Sequence, residues 1–345
     1  MIKYWSSTGL VLVKMIKMRI IVDAHIPFVV EAVQRNWPQT EVLALEPEEI
    51  GSSSVRDADV LIIRTRTKVN EALLAGSSVR LVCTATIGYD HIDRSYCETH
   101  SVRWISCPGC NAQAVCDYIE EAIEETMDNS QCTMHNSQFT MHNSQLSIGV
   151  VGVGHVGSLV AQMAERKGFK VLLNDPPKGI GVSLDEIARQ CDIITFHTPL
   201  DNTTYHLCDA AFLAQCKPGA LIINAARGGV VDEEALLQSG HPFILDTWEK
   251  EPEINAAVLE KSLLASMHIA GYSVQGKRNA SQMCLDAVSE LFGLPKIDIS
   301  RYLYSASGTK KGDSEPGWLL RISHELKNHP TDFESLRKVY PLRGE

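Results

Sequence analysis

Two hydrophobic rhythms alternate along this chain. Short, nearly unbroken apolar runs occur at Arg19 to Asp23, Val60 to Ile63, Leu81 to Thr84, Ile148 to Val151, Asp192 to Phe196, Leu221 to Asn224 and Phe243 to Leu245. They predict buried strands, with a weaker one at Val42 to Leu45 and a second strand of the central region at Lys170 to Asn174. Helices are predicted from Pro27 through Val33, around Asn70 to Ala75, Leu184 to Gln190, Asp209 to Gln215 and Asp232 to Gln238. Longer ones are expected over Asn111 to Met127 and Gln275 to Phe292, and a last one near Trp318 to Lys327. In the helix after Asn111, Ala114, Tyr118, Ile119 and Ala122 should face inward, leaving Glu120, Glu121, Glu124 and Glu125 as a solvated face. Strand alternating with helix implies an α/β fold with parallel sheets and crossovers on their faces.

Two stretches fit neither rhythm. The first eighteen residues hold one apolar patch, Leu10 to Val13, too short to span a membrane and without a cleavage pattern. With Met15 and Met18 close behind, a disordered extension or a misplaced start is expected. Residues 129–145 read NSQCTMH-NSQFTMH-NSQ, a polar heptad repeat with no apolar seam for a coiled coil. His135 and His142 there lack partners to complete a metal site, so a mobile surface loop is expected.

The strand at Ile148 empties into Gly152-Val-Gly154-His155-Val156-Gly157, and an amphipathic helix and a second strand ending at Asp175 follow. Gly152 permits a sharp turn, Gly154 lets backbone N–H groups approach a pyrophosphate, and Gly157 lets helix and strand pack closely. The helix N-terminus favours the anion, and a carboxylate at Asp175 suits the adenosine ribose hydroxyls while repelling a 2′-phosphate. NAD is the cofactor implied.

Composition narrows the rest. With 44% hydrophobic and 21% charged residues, the chain reads as globular, and its 345 residues suffice for two domains. A net charge of -10 argues against a nucleic-acid partner. Ten scattered cysteines without a signal peptide point to the cytoplasm. The lone CxxC, Cys107 to Cys110, is expected to be a loop turn, and no metal is implied.

Ligands of such sheets sit beyond the carboxyl ends of the strands. There the chain places Thr198, Ala225-Ala226-Arg227-Gly228-Gly229, Asp246, Glu251-Pro252 and His268-Ile-Ala-Gly271-Tyr272. The basic run Arg64-Thr65-Arg66-Thr67-Lys68 stands at another strand end and would suit a phosphate.

The segments GVGHVG…ND, HTPL, NAARGGVVDEEAL, LDTWEKEP and HIAGYS resemble the D-2-hydroxyacid dehydrogenases, in order and over nearly the whole chain. VLIIRTRTKVNEALL, TATIGYDHID and CPGCNAQAV are similar to the branch acting on 4-phosphoerythronate. The resemblance implies two Rossmann-like domains with the active site in the cleft between them and a short C-terminal extension. Residues 19–110 plus 276–293 would bind substrate and 111–275 would bind NAD, with the polar loop at 128–146, an N-terminal extension at 1–18, and 294–345 as a C-terminal extension available for dimerisation. It implies oxidation of 4-phospho-D-erythronate to 2-oxo-3-hydroxy-4-phosphobutanoate in pyridoxal 5′-phosphate biosynthesis, by a homodimer with no membrane partner. Arg227 would hold the substrate carboxylate, His268 would be the general base, and Glu251 would orient and stabilise its imidazolium. Gly152, Gly154, His155, Val156, Gly157, Asp175, Thr198, Ala225, Ala226, Arg227, Asp246 and Gly271 would line the cofactor. Thr65, Thr86 and Tyr272 would contact substrate, and Arg64, Arg66 and Lys68 supply the phosphate's cations.

The chain departs from the family in carrying Met267 where a proline is usual, a shortened span from Arg227 to Asp246, and the heptad duplication. Its C-terminal region is also short, although Phe333 to Tyr340 still resembles the family's tail. Other readings are a D-3-phosphoglycerate or different D-2-hydroxyacid dehydrogenase, or, in another class, an NAD(H)-sensing corepressor.

Overall fold

In the computed structural model, residues 1–110 with 277–305 form one unit and residues 111–276 with 306–345 a second. Residues 2–6, 9–13, 18–128, 145–302 and 317–343 are described; the heptad repeat at 129–144 and the turn-rich stretch 303–316 lie outside them.

The first unit opens with strands β1 (Ile2–Ser6) and β2 (Gly9–Val13), paired antiparallel where the sequence suggested only an extension. Its sheet is then built from β3 (Arg19–Asp23), helix α1 (Val29–Asn36), β4 (Glu41–Leu45), α2 (Ser52–Val55) and β5 (Val60–Ile63). It continues through α3 (Glu71–Leu74), β6 (Leu81–Thr84), α4 (Arg94–Thr99) and β7 (Arg103–Ile105). The order is β4-β3-β5-β6-β7, all parallel. Successive strand residues face opposite sides. Ile20, Val22, Val60, Ile62 and Cys83 enter one apolar cluster, while Ile21, Leu61, Ile63 and Val82 enter another. Both faces are thus covered, which explains the unbroken apolar runs. Cys107 and Cys110 are buried in the first of these clusters with Cys284.

The second unit begins with α5 (Ala112–Asp128) and continues β8 (Ser147–Val151), α6 (His155–Arg166), β9 (Lys170–Asp175), β10 (Ile180–Gly181), α7 (Leu184–Gln190) and β11 (Ile193–Phe196). Then come α8 (Ala210–Leu213), β12 (Leu221–Asn224), α9 (Glu233–Ser239), β13 (Phe243–Leu245), α10 (Ala256–Lys261) and β14 (Leu264–Ala265). The strand order is β10-β9-β8-β11-β12-β13-β14, parallel except for the edge strand β10. The chain runs outward from β8 to β9 and returns to β11 on the other side, so the direction of winding reverses between β8 and β11. That is where an open α/β sheet leaves a crevice for a ligand.

Helix α11 (Val274–Phe292) follows, and the segment after it inserts Ile297 and Ile299 into the first unit's core. The remaining tail, α12 (Trp318–Asn328) and α13 (Phe333–Val339), buries Trp318, Leu319, Ile322, Leu326 and Phe333 in the core of the second. Among the described residues, both ends of the stretch expected as a C-terminal extension thus contribute side chains to a core. The acidic run of α5 is also more than a solvated face. Glu125 accepts the backbone N–H groups of Leu319 (3.2 Å) and Leu320 (2.9 Å), and Glu121 accepts from the Trp318 indole. The first turn of α12 has N–H groups with no partner inside the helix, and the Glu125 carboxylate satisfies two of them.

Candidate active site

The Gly-rich turn has the shape of a pyrophosphate cradle. Gly152 stands at φ +90°, and a Cβ there would lie 2.8 Å from the His197 carbonyl. A Cβ on Gly157 would lie 1.9 Å from the Gly152 oxygen, so helix α6 approaches β8 as closely as backbone allows. Gly154, capping α6, has nothing within 4 Å of where its Cβ would be, the open ground a phosphate needs. Asp175 accepts the Val153 N–H (2.9 Å), and Lys178 Nζ lies 3.4 Å from the same carboxylate oxygen. His155 is exposed and Val156 half-buried at the helix start. Across the crevice at the end of β11, Thr198 Oγ1 is buried with no hydrogen-bond partner. Thr198 N lies 2.9 Å from where a Cβ on Gly152 would be, and an orphaned hydroxyl on a residue beside this turn fits a ligand group supplied from outside. Beside it, burial drives the His197 pKa down to about 3, so its imidazole is neutral, with Nε2 3.0 Å from Thr195 Oγ1.

At the end of β12, Ala225, Ala226 and Arg227 are all half-buried. Asn224 shapes the turn, accepting from Ala226 N (3.1 Å) and donating to the Arg227 carbonyl (2.9 Å). Arg227 Nη1 donates to its neighbour's carbonyl on Ala226 (2.7 Å). Gly228 touches the Trp248–Glu249 backbone so closely that a Cβ would stand 1.9 Å from the Trp248 oxygen. This contact holds the Arg227 loop against the turn carrying Glu251.

His268 Nδ1 and Glu251 Oε2 are 2.8 Å apart, with side chains 32% and 21% exposed. Trp248 N–H donates to Glu251 Oε1 (2.9 Å). Burial alone would raise the Glu251 pKa, but the His268 hydrogen bond and charge, the Trp248 N–H and the Arg337 cation outweigh it, and the net shift is downward. An ionised carboxylate therefore faces the ring. His268 itself sits at φ +57°, a left-handed conformation a β-carbon resists, held there by its N–H on the Asp246 carbonyl (2.8 Å).

Asp246 does more inside the protein than the cofactor contact expected of it. It is 1% exposed and accepts from Ser266 Oγ (2.6 Å), Ile269 N (2.7 Å) and Ala270 N (3.0 Å), clamping both sides of His268. Gly271 packs on Asn111, whose Nδ2 donates to the Gly271 carbonyl (3.2 Å). Arg343 is a partner that sequence reasoning missed. It is 7% exposed, donates to the carbonyls of Ala114 (3.0 Å) and Ala270, and meets the Tyr272 carbonyl at 3.4 Å. Arg337 was missed too; its guanidinium lies 5.7 Å from the Tyr272 ring centre and acts electrostatically on Glu251. Nothing local in the sequence marks these contacts, since Ala114, Glu251, Ala270 and Tyr272 are distant along the chain from both arginines.

Glu233 supplies a pH dependence. It is 6% exposed, and burial, with repulsion from Glu249 and Glu251, raises its pKa to about 6 despite the Glu249 N–H it accepts. A raised carboxylate pKa makes the charged form costly in the folded state. The cost is absent below the ordinary value of 4.5, grows through that window and is complete above about 6. Glu233→Gln keeps the acceptor and removes the charge, so it should stabilise by on the order of 2 kcal/mol at pH 7.5, shrinking toward pH 5. Thermal melts of both proteins across that range check this; a variant less stable than wild type at pH 7.5 would contradict it.

In the first unit, the basic run divides. Arg64 places Nε and Nη2 on the two oxygens of fully buried Asp23 (2.9 and 3.1 Å), which leaves its Nη1 donors for another anion. Thr65, Arg66 and Lys68 are exposed. Lys277, which sequence reasoning missed, is half-buried beside this pair; burial and the Arg64 charge lower its pKa, against the pull of Asp23. Thr86 donates to the Gly88 carbonyl (2.9 Å), Thr84 then donates to Thr86 (2.7 Å), and His91 Nε2 lies 3.1 Å from Thr84. The Thr86 hydroxyl proton is therefore committed internally, leaving a lone pair for any ligand. Burial lowers the His91 pKa, with Asp90 opposing.

Residues 114–270 match the D-isomer specific 2-hydroxyacid dehydrogenase, NAD binding domain. The chain is 40% identical to an erythronate-4-phosphate dehydrogenase of Bacteroides thetaiotaomicron over 95% of this chain and 97% of that protein. It is 36% identical to one from Porphyromonas gingivalis, over 94% and 92%. Among solved structures, NAD+-bound 3-phosphoglycerate dehydrogenase of Entamoeba histolytica superposes with a TM-score of 0.67 at 23% identity, covering 83% of this chain and all of that one. D-lactate dehydrogenase of Aquifex aeolicus with NAD and lactic acid gives 0.63 at 23% identity, over 79% and 96%. These two share the fold. With relatives this similar over almost its whole length, the chain belongs to the NAD-dependent D-2-hydroxyacid dehydrogenases, in the erythronate-4-phosphate dehydrogenase family.

Proposed function

We propose that the protein oxidises the C2 hydroxyl of 4-phospho-D-erythronate to give 2-oxo-3-hydroxy-4-phosphobutanoate, a step toward pyridoxal 5′-phosphate. The observation that carries the chemistry is the 2.8 Å pair of His268 Nδ1 with Glu251. It fixes the imidazole so that Nε2 is the basic nitrogen available to a substrate hydroxyl. When bound, NAD supplies the acceptor for the C2 hydride. His268 takes the hydroxyl proton, the ionised Glu251 stabilises the resulting imidazolium, and Arg227 holds the substrate carboxylate with its guanidinium fork. The Gly152 to Gly157 turn, with Val156 and exposed His155, would hold the pyrophosphate, Asp175 the ribose, and Thr198, Ala225 and Ala226 the nicotinamide side. Asp246 acts through the His268 loop.

Support for the phosphate comes from the relatives' names and from the paired cations Arg64 and Lys277. Arg66, Lys68, Thr65 and Thr86 complete that set of candidates, and Tyr272 adds a substrate contact. The same reading includes a cytoplasmic homodimer. It is in keeping with the nine free cysteines among the described residues and with Val339, 77% exposed on α13. No helix among the described residues is long and apolar enough to cross a membrane.

The test is NADH formation with 4-phospho-D-erythronate, D-erythronate, 3-phospho-D-glycerate and D-lactate, using wild type and Lys277→Met. The phosphorylated erythronate should be preferred, and Lys277→Met should raise its KM by roughly tenfold or more, the worth of one charge-assisted contact, while sparing D-erythronate. Faster turnover of 3-phospho-D-glycerate or D-lactate would overturn the substrate, and an equal loss on D-erythronate would remove Lys277 from the phosphate.

A further inference from the structure

His206 lies outside the residues discussed for the reaction, in the loop between β11 and α8. Its ring sits between two carboxylates: Nε2 is 2.7 Å from Glu249 Oε1, and Nδ1 is 3.6 Å from Asp232 Oδ2. Its backbone N–H donates to the Gly229 carbonyl (2.8 Å), and it stands at φ +50°, a left-handed conformation for a residue with a β-carbon. The ring stacks on Tyr205, with centroids 4.0 Å apart.

The partners belong to two different segments. Gly229 and Asp232 follow Arg227 by two and five residues, and Cys208 continues the contact, donating to the Val230 carbonyl (3.1 Å) and accepting from Asp232 N (3.1 Å). Glu249 stands two residues before Glu251 in the turn whose backbone Gly228 touches. Glu249 and Glu233 also exchange bonds, Glu249 N donating to Glu233 Oε1 (2.7 Å) and Glu233 N to Glu249 Oε1 (3.3 Å). One imidazole therefore spans the strip bearing the guanidinium and the turn bearing the carboxylate that orients His268.

We infer that His206 is a positioning residue: by bridging Asp232 and Glu249 it sets the spacing between Arg227 and the Glu251–His268 pair. This rests on the dehydrogenase reading above. The bridge touches neither the Gly-rich turn nor Asp175, so its loss moves the hydroxy-acid end of the site and leaves the cofactor's adenosine end in place. A Gln side chain can put an amide N–H where Nε2 is and keep the bond to Glu249, whereas Ala removes it.

His206→Ala, His206→Gln and Glu249→Ala are compared with wild type for kcat, KM of the preferred 2-hydroxy acid, NADH affinity and melting temperature. A crystal structure of His206→Ala is solved beside wild type. The expected result is a kcat/KM about tenfold or more below wild type for His206→Ala, as a misplacement near 1 Å brings, with NADH affinity within about twofold and most activity regained in His206→Gln. The crystal structure should show the Glu249–Glu251 turn displaced from the Arg227 loop. Unchanged kinetics with a superposable site would overturn the inference, as would a loss shared equally by NADH binding or by His206→Gln. Should His206→Ala not fold, His206→Gln near wild type with Glu249→Ala impaired supports the bridge, and any other pattern overturns it. The ligand atoms of His206, Asp232 and Glu249 lie within 4.8 Å of one another, so a cation could occupy the same place. Loss of wild-type activity on EDTA treatment, restored by Zn2+, would overturn the direct bridge. Wild type inactive on every 2-hydroxy acid would refute the dehydrogenase reading instead, and the crystal structures would still decide the bridge.

Discussion

His268→Gln should cut kcat by roughly a thousandfold, a barrier increase of about 4 kcal/mol, while the protein still binds NADH with near wild-type affinity. Gln retains a polar group of similar reach but has no basic nitrogen, so the hydroxyl proton has nowhere to go as C2 becomes a carbonyl. The ring is not a spare histidine: Glu251 fixes one nitrogen at 2.8 Å, and the Asp246 carbonyl and carboxylate hold the backbone around it. The cofactor turn lies at the end of β8, far along the sheet order from β14, which explains why binding should survive. Stopped-flow NADH formation and NADH fluorescence titration measure the two quantities separately. Equal losses in both would mean that the substitution collapses the site rather than removing a base.

Arg227→Met should lower kcat/KM by about a thousandfold, expressed chiefly as a raised KM for the hydroxy acid. Two charge-assisted bonds from one guanidinium to a carboxylate are worth together about 3–5 kcal/mol. Met keeps the stem's volume and removes the fork. Arg227→Lys restores charge without the planar pair of donors and should recover only part of the loss. Full recovery with Lys would mean that charge alone, and not the fork, is recognised. The Asn224 bonds to the backbone at Ala226 and Arg227 do not involve the guanidinium, so both variants should fold, and Arg227→Met should give up only the guanidinium bond to the Ala226 carbonyl, a net cost of about 1 kcal/mol.

What was legible in the sequence is what is local in the chain. The Gly152 to Gly157 turn and Asp175 belong to one strand–helix–strand passage, and each glycine's reason is visible within a few residues of it. The buried strands announced themselves because both faces of each parallel sheet are covered, leaving no polar alternation to confuse the reading. The parts that escaped notice depend on distant pairing. Arg343 acts on Ala114, 229 residues away, and Lys277 comes within electrostatic reach of Arg64 only because α11 returns to the first unit. The acidic run on α5 looked like a solvated face because its partner, the first turn of α12, lies nearly two hundred residues on, at a separation of 194 from Glu125 to Leu319. Asp246 was read as a strand-end ligand, a reasonable position for one, yet its bonds to Ser266, Ile269 and Ala270 follow from β13 and β14 being neighbours, which sheet order alone reveals.

The most direct measurement uses 4-phospho-D-erythronate carrying deuterium at C2, incubated with NAD and the purified protein, with the reduced cofactor examined by mass spectrometry. Removal of the hydroxyl proton by His268 with hydride departure from C2 requires one deuterium in the NADH formed and none released to water. NADH without deuterium, or label appearing in solvent, would contradict it.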